Sequence, residues 1–184
     1  LEIKPNINIS ANNEYAFRWA FENGHLDVAK WLLEIKPNIN ISVKKEYAFK
    51  YVCKNGNLEV AKWLLEIKPN INISVKNEYA FRLACENGHL EVAKWLLSIA
   101  PDINISAENE YAFGWACYNG HLEVAKWLLQ VKPDININAK NNWAFKHSNL
   151  IIKQWLSHYI PNYDTYSFRT IQNIGTCSGL FDLI

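Results

Sequence analysis

The chain has 184 residues, 49% of them hydrophobic, with 19 basic and 18 acidic side chains and a net charge of +1. That balance argues against electrostatic capture of nucleic acid or of an anionic membrane as the organising function. No apolar run reaches the ~18 residues of a membrane-spanning helix, and no signal peptide is visible.

One stretch sets the organisation. Asn87-Gly88-His89-Leu90-Glu91-Val92-Ala93-Lys94-Trp95-Leu96-Leu97 returns, nearly letter for letter, at 23–33, 55–65 and 119–129, each time at a lag of 32 residues. A fixed period of this size predicts a solenoid, in which each unit buries its apolar faces against its neighbours.

In chain order, residues 1–10 match the end of one helix and the connector that follows it elsewhere. The chain is therefore expected to be a fragment of a longer array, opening on a partial unit. Pro5, Pro37, Pro69, Pro101 and Pro133 stand at the start of the connectors. Proline ends the preceding helix, and the alternating Ile and Asn that follow predict a short extended or hairpin segment. A first helix is then expected from Asn13, with Asn13, Asn77, Asn109 and Asn141 as N-caps and Lys45 as the exception. The next residue (Glu14, Glu46, Glu78, Glu110) suits a helix N-terminus. Phe17, Ala20 and Phe21 share one apolar face. Asn23-Gly24 stops this helix, with glycine in the left-handed C-cap conformation.

A second helix runs from Leu26 to about Ile35. It is apolar except for a strip at Asp27, Lys30 and Glu34, as expected of a helix packed on its partner and both neighbours. Glu91/Lys94 and Glu123/Lys126 are surface pairs worth ~0.2–0.5 kcal/mol each. Near the C-terminus the pattern decays: Trp127 to Trp155 is 28 residues, the Asn-Gly turn is gone, and a clipped first helix with Ser148 as a new N-cap is predicted. The repeat array thus spans 1–159. Residues 160–184 read as a degenerate capping repeat, with Pro161, Tyr166, Phe168 and Gly175 at repeat positions; Gly179 within its last helix costs ~1 kcal/mol.

Helix, Asn-Gly turn, Gly-His-Leu-Glu-Val-Ala-Lys-Trp-Leu-Leu helix and connector together resemble the ankyrin repeat over nearly the whole chain. The resemblance implies an all-α, helix-turn-helix solenoid with short extended finger connectors. The first helix departs from the family: Tyr15-Ala16-Phe17-Arg18 and its copies replace Thr-Pro-Leu-His, and the unit is one residue short of the usual 33. This variant is similar to ankyrin arrays encoded by giant DNA viruses of amoebae, which implies an origin and a host-cytoplasm location rather than a mechanism.

The residue ladders do not read as chemistry. Cys53, Cys85 and Cys117 share one repeat position, held by Phe21 in the first full unit. Equivalent positions in stacked helices lie ~8–10 Å apart, too far for a shared zinc ion or a disulfide, so the site reads as a buried apolar slot. Cys177 stands apart, and free thiols fit a reducing, cytoplasmic compartment. His25, His89 and His121 alternate with Asn57, which disfavours a metal or proton relay; the resemblance assigns this residue to hydrogen bonding of the turn. The sequons at Asn8, Asn40, Asn72 and Asn104 and the Trp31, Trp63, Trp95, Trp127 and Trp155 ladder read as by-products of repetition and packing. No catalytic constellation, metal site or cofactor-binding loop appears, so the chain is expected not to be an enzyme and to carry no cofactor.

Positions that differ between units are where specificity is written. The finger position reads Asn12, Lys44, Lys76, Glu108, Lys140. Two first-helix positions read Arg18, Lys50, Arg82, Gly114, Lys146 and Trp19, Tyr51, Leu83, Trp115, His147. The helix end reads Glu22, Lys54, Glu86, Tyr118. In the resembled family, fingers and first helices line a concave partner-binding face. The expected partner surface is therefore Lys44, Lys76, Lys140, Glu22, Lys54 and Glu86, with Trp115 and Tyr118 as the hot spot. Whether the cation at position 18 and its copies reaches solvent is left open. The expected function is a scaffold-like, monomeric protein-binding module with an unidentified protein partner and no nucleic-acid or membrane partner. The alternative is the substrate-recognition part of a ubiquitin-ligase adaptor, although 160–184 is too short for an F-box-like segment and lacks its Leu-Pro start.

Overall fold

The computed structural model describes residues 8, 11–40 and 43–160, with side chains omitted at 13 and 43–46. The degenerate repeat expected over 160–184, including Cys177, therefore lies almost wholly outside the described residues. Among the described residues ten helices follow one another: α1 (Ala11–Glu22), α2 (Leu26–Ile35), α3 (Val43–Lys54), α4 (Leu58–Ile67), α5 (Val75–Glu86), α6 (Leu90–Ile99), α7 (Ala107–Tyr118), α8 (Leu122–Val131), α9 (Ala139–His147) and α10 (Leu150–Leu156). No strand occurs among the described residues, so the connectors are turns and not hairpins. In each, the first Ile (Ile39, Ile71, Ile103, Ile135) is buried. The Asn one residue further on builds a turn, as when Asn104 Oδ1 accepts from the Ser106 amide at 3.1 Å.

Odd-numbered helices stack directly on one another, α1 on α3 on α5 on α7 on α9, and each even-numbered helix packs on the one before it. Small residues permit the close approach: Ala48, Ala80, Ala112 and Ala144, with Ala20, Ala84 and Ala116, are all buried. Successive second helices approach each other less closely. The first helices therefore form the inner column of the stack. The core runs unbroken along the array, through Phe17, Phe49, Phe81, Phe113 and Phe145 from the inner column and Leu32, Leu64, Leu96, Leu128 and Leu156 from the outer. The tryptophan ladder stitches units together. Trp95, Trp127 and Trp155 lie 6.2–6.4 Å (ring centroids) from Phe49, Phe81 and Phe113 of the preceding unit. Trp63 stacks instead on Phe21 at 5.7 Å, because Phe21 fills the slot that later units give to cysteine.

The Asn-Gly turn closes as its composition predicts. Gly24, Gly56, Gly88 and Gly120 have φ of 75–85°. The Gly24 amide donates to Phe21 O at 3.1 Å and the His25 amide to Ala20 O at 2.8 Å, the paired bonds that satisfy the last carbonyls of a helix. A second constraint falls on the same glycines. A Cβ on Gly56 would lie 2.4 Å from His89 Nδ1, and one on Gly88 would lie 2.5 Å from His121 Nδ1. Asn57 and Asn149 occupy the equivalent place over Gly24 and Gly120. The expectation that this His/Asn position serves the turn holds, and the turn it serves belongs to the preceding unit.

Two capping expectations fail. Asn77, Asn109 and Asn141 are not N-caps; they sit inside the helical spans at φ 56–58°. In the last unit the cap is Asn149, whose side chain accepts from the Ile152 amide at 3.0 Å, while the Ser148 hydroxyl turns back to Phe145 O.

Candidate protein-binding surface

The fingers of units three, four and five each end in one left-handed turn. Lys76-Asn77-Glu78, Glu108-Asn109-Glu110 and Lys140-Asn141-Asn142 all have φ between 51° and 62°, and the right-handed helix begins only at the aromatic residue that follows. Non-glycine residues in this region cost ~1–2 kcal/mol each, least for Asn and Asp. Asn recurs at the middle position for that reason, and not because of a cap. The turn directs the third residue inward: Glu14, Glu78 and Glu110 are buried, and Glu110 Oε1 accepts from the Asn136 amide at 3.2 Å.

The residues left open by the sequence turn out to be buried cations. Arg18, Lys50 and Arg82 are 7%, 3% and 7% exposed. Arg82 Nε donates to Asn77 O at 2.7 Å and its Nη2 to Lys76 O at 3.0 Å; Arg18 Nη2 donates to Asn12 O at 3.0 Å. The guanidinium thus ties down the carbonyls of its own finger. Each cation also lies over the tyrosine of the next unit: Arg18 over Tyr47 at 4.8 Å, Lys50 over Tyr79 at 5.6 Å and Arg82 over Tyr111 at 4.7 Å. Cation and aromatic face alternate along the inner column, an attraction that strengthens as water is excluded.

That alternation stops at Gly114, where aromatic residues take over. Trp115, Tyr118 and Trp143 form a cluster with ring centroids 5.1–5.3 Å apart, and Trp143 continues to His147 at 5.4 Å. Tyr118 is 46% exposed. Next to it, the Tyr111 hydroxyl donates to Glu86 Oε2 at 2.7 Å. Burial, this bond and the Glu86 charge all push the Tyr111 hydroxyl well above the usual phenol range. Tyr47 is likewise pushed up to about 12, first by burial and then by Glu22.

Of the residues expected to meet a partner, Lys76 and Lys140 are exposed finger tips, Glu22, Lys54 and Glu86 are half-buried helix ends, and Trp115 and Tyr118 touch each other. The side chain of Lys44 lies outside the described residues. The finger row is not uniformly basic: Glu108 interrupts it and accepts from the Asn77 side chain. Trp143 belongs to the aromatic cluster but was hidden in the sequence, because it fills the position that tyrosine holds in every other unit.

The ladders that tempt a chemical reading are packing features. Cys53, Cys85 and Cys117 are free and buried; burial alone raises all three thiols, Cys117 to about 12. His89 is held below the ordinary histidine range by desolvation, against the opposing effect of its hydrogen bond to the Lys54 backbone. Among the described residues, no group of three or more His, Cys, Asp or Glu could hold a metal ion, and no helix is long and apolar enough to cross a membrane.

Stacked helix pairs, glycine-closed turns and an inner column topped by fingers are the geometry of one repeat family. A family model of ankyrin repeats in three copies matches residues 49–141, half of the chain, and a second model of ankyrin repeats in many copies matches 17–65. The chain belongs to the ankyrin repeat family. No curated protein matches it. Ankyrin repeats generally act as protein–protein interaction modules, typically without enzymatic activity. In this ankyrin array the family's first-helix hydrogen-bond motif is replaced by the Tyr and Arg/Lys column.

Proposed function

We propose that this ankyrin array is a protein-binding module that grips its partner across the concave face formed by the fingers and the inner helix column. The observation that carries this reading is the aromatic cluster of Trp115, Tyr118 and Trp143 at 5.1–5.3 Å, half-exposed with the finger lysine Lys140 beside it. Aromatic side chains offer large contact area at low entropic cost, and they dominate interface energetics. Closer approach in the inner column than in the outer one supports a stack that curves toward the fingers. The outer helices carry instead the regular surface pairs Glu59–Lys62, Glu91–Lys94 and Glu123–Lys126 at 2.8–2.9 Å, a pattern of solvated faces.

We further propose an origin among giant-virus ankyrin arrays, for which this chain's 32-residue period and Tyr-Ala-Phe helix are the support; it bears on origin rather than on partner. Three buried thiols are in keeping with a reducing compartment such as the cytoplasm.

The test is comparative capture with a partner once it is in hand. Trp115→Ala and the Lys44→Glu/Lys76→Glu double variant are expected to weaken binding tenfold or more, while Lys94→Glu on the outer face leaves it unchanged. Equal binding by all of them would remove the concave face from the mechanism.

A further inference from the structure

Units one to three place a cation at the same inner-column position, Arg18, Lys50 and Arg82, and each is buried. Unit four has Gly114 there. It nonetheless keeps the whole setting of that side chain. The left-handed turn persists at Glu108, Asn109 and Glu110 with φ 58–60°. An aromatic wall persists on the far side, with Trp143 in the place that Tyr111 takes against Arg82. What the missing side chain leaves is a cavity of about 170 Å³, lined by residues that include Asn109, Glu110, Tyr111, Gly114, Lys140 and Trp143. Holding one water takes only about 10–15 Å³ on this measure, so the cavity is far larger than a packing flaw.

Its chemistry is anionic and aromatic. Glu110 is 9% exposed, and its Oε2 has no hydrogen-bond partner. Glu78 carries the same unpartnered oxygen in the unit that holds Arg82, so a buried carboxylate accompanies both the filled slot and the empty one. Units one and three set a cation, Arg18 or Arg82, four residues after that buried glutamate, and unit four sets none. Lys140 at the rim does not argue against a cation inside. Unit two keeps Lys50 buried with Lys76 as the next finger residue.

We infer that the cavity at Gly114 is a receptacle for an arginine side chain supplied by the bound protein partner. This rests on the concave-face reading and names the group that anchors there. The guanidinium would repeat the role of Arg82, donating toward the carbonyls of Glu108 and Asn109 and lying against the Trp143 ring, with Glu110 as its counter-charge. Arginine suits such a site better than lysine, because its planar fork donates to two acceptors while its face stacks on a ring.

The experiment titrates the full chain with the peptide acetyl-Gly-Arg-Gly-amide and, separately, with its citrulline counterpart, which keeps the shape and loses the charge. The readouts are the Gly114 amide and Trp143 indole NMR signals. Saturable shifts with the arginine peptide are expected, with at least tenfold weaker response to citrulline. Gly114→Arg, which fills the slot from within, is expected to raise Tm and abolish the response. Gly114→Ala is expected to retain it, since the added Cβ meets Trp143 at an ordinary 3.5 Å. Glu110→Gln gives a second route, expected to weaken the response at least fivefold with the cavity intact. Equal responses to arginine and citrulline, an arginine response that survives in Gly114→Arg, or one that is undiminished in Glu110→Gln, would overturn the inference. With the protein partner, loss of binding in Trp115→Ala but none in Gly114→Arg would sink the receptacle and leave the concave face standing. Loss in neither would sink both.

Discussion

Arg82→Met isolates what the buried cation column contributes. Arg82 donates two hydrogen bonds, at 2.7 and 3.0 Å, to carbonyls of a finger held in the left-handed region. Bonds to a charged donor contribute about 1.5–3 kcal/mol each; at the low end the pair is worth about 3. Stacking over Tyr111 at 4.7 Å adds about 1 kcal/mol. Methionine restores about 1 kcal/mol of apolar burial along the same path. The net expected loss is about 3 kcal/mol, read as a lower urea midpoint at unchanged slope. Arg82→Lys should lose about half of that, because it retains a charge over the ring, as Lys50 does over Tyr79 at 5.6 Å. Amide exchange at Asn77 and Glu78 should accelerate in both. The fold itself should survive, since unit four builds the same turn above a glycine. A loss below about 1 kcal/mol for Arg82→Met, against the 1.5–3 kcal/mol expected of even one such bond, would refute the idea that the guanidinium holds the finger.

Three further outcomes can be checked independently. The His89 ring is desolvated and its pKa lies below 6.5 in the fold, so its contribution to stability is fully present above pH 6.5 and is lost as pH falls from there through the depressed folded value; His89→Asn, the choice made at Asn57, should flatten the fall in Tm between pH 7 and pH 5. Gly56→Ala combines a left-handed φ of 75° with a Cβ 2.4 Å from His89 Nδ1, and should cost about 2–3 kcal/mol, of which the added change His89→Ala recovers the clash but not the ~1–2 kcal/mol of backbone strain. In a Cys177→Ser background, Ellman's reagent should label Cys53, Cys85 and Cys117 no faster than the array unfolds, because all three thiols are buried and raised; rapid labelling of the native protein would show that the inner column opens locally.

What repetition encodes in the backbone was legible from letters alone. Gly24, Gly56, Gly88 and Gly120 mark turns that need positive φ, and the second helix ends at Ile35 where the connector proline follows. The finger was misread because Asn serves two purposes. The residue that caps a helix is also the one that best tolerates the left-handed region, and only the backbone angles separate them. The burial of Arg18, Lys50 and Arg82 was hidden for a related reason: a lone cation in a repeat looks like a solvated surface until its acceptors, which are backbone carbonyls, are seen. The aromatic cluster was half visible. Trp115 and Tyr118 stood out as departures from the pattern, whereas Trp143 passed as a substitute for tyrosine. The cavity could not be read at all, since a single Gly114 on a helix signals flexibility as readily as a vacancy.

The fit of His89 over Gly56, His121 over Gly88 and Asn57 over Gly24 gives the array a direction. Each unit presents a bare glycine to its successor and inserts a side chain into its predecessor, like a row of keyed tiles. Such a row can be shortened only in whole steps. Deleting 57–88 joins Gly56 to His89 and brings that imidazole onto Gly24, a pairing the same backbone already accommodates one unit further along. Deleting a span that is not a whole number of units would leave a glycine without its key, or a key without its slot.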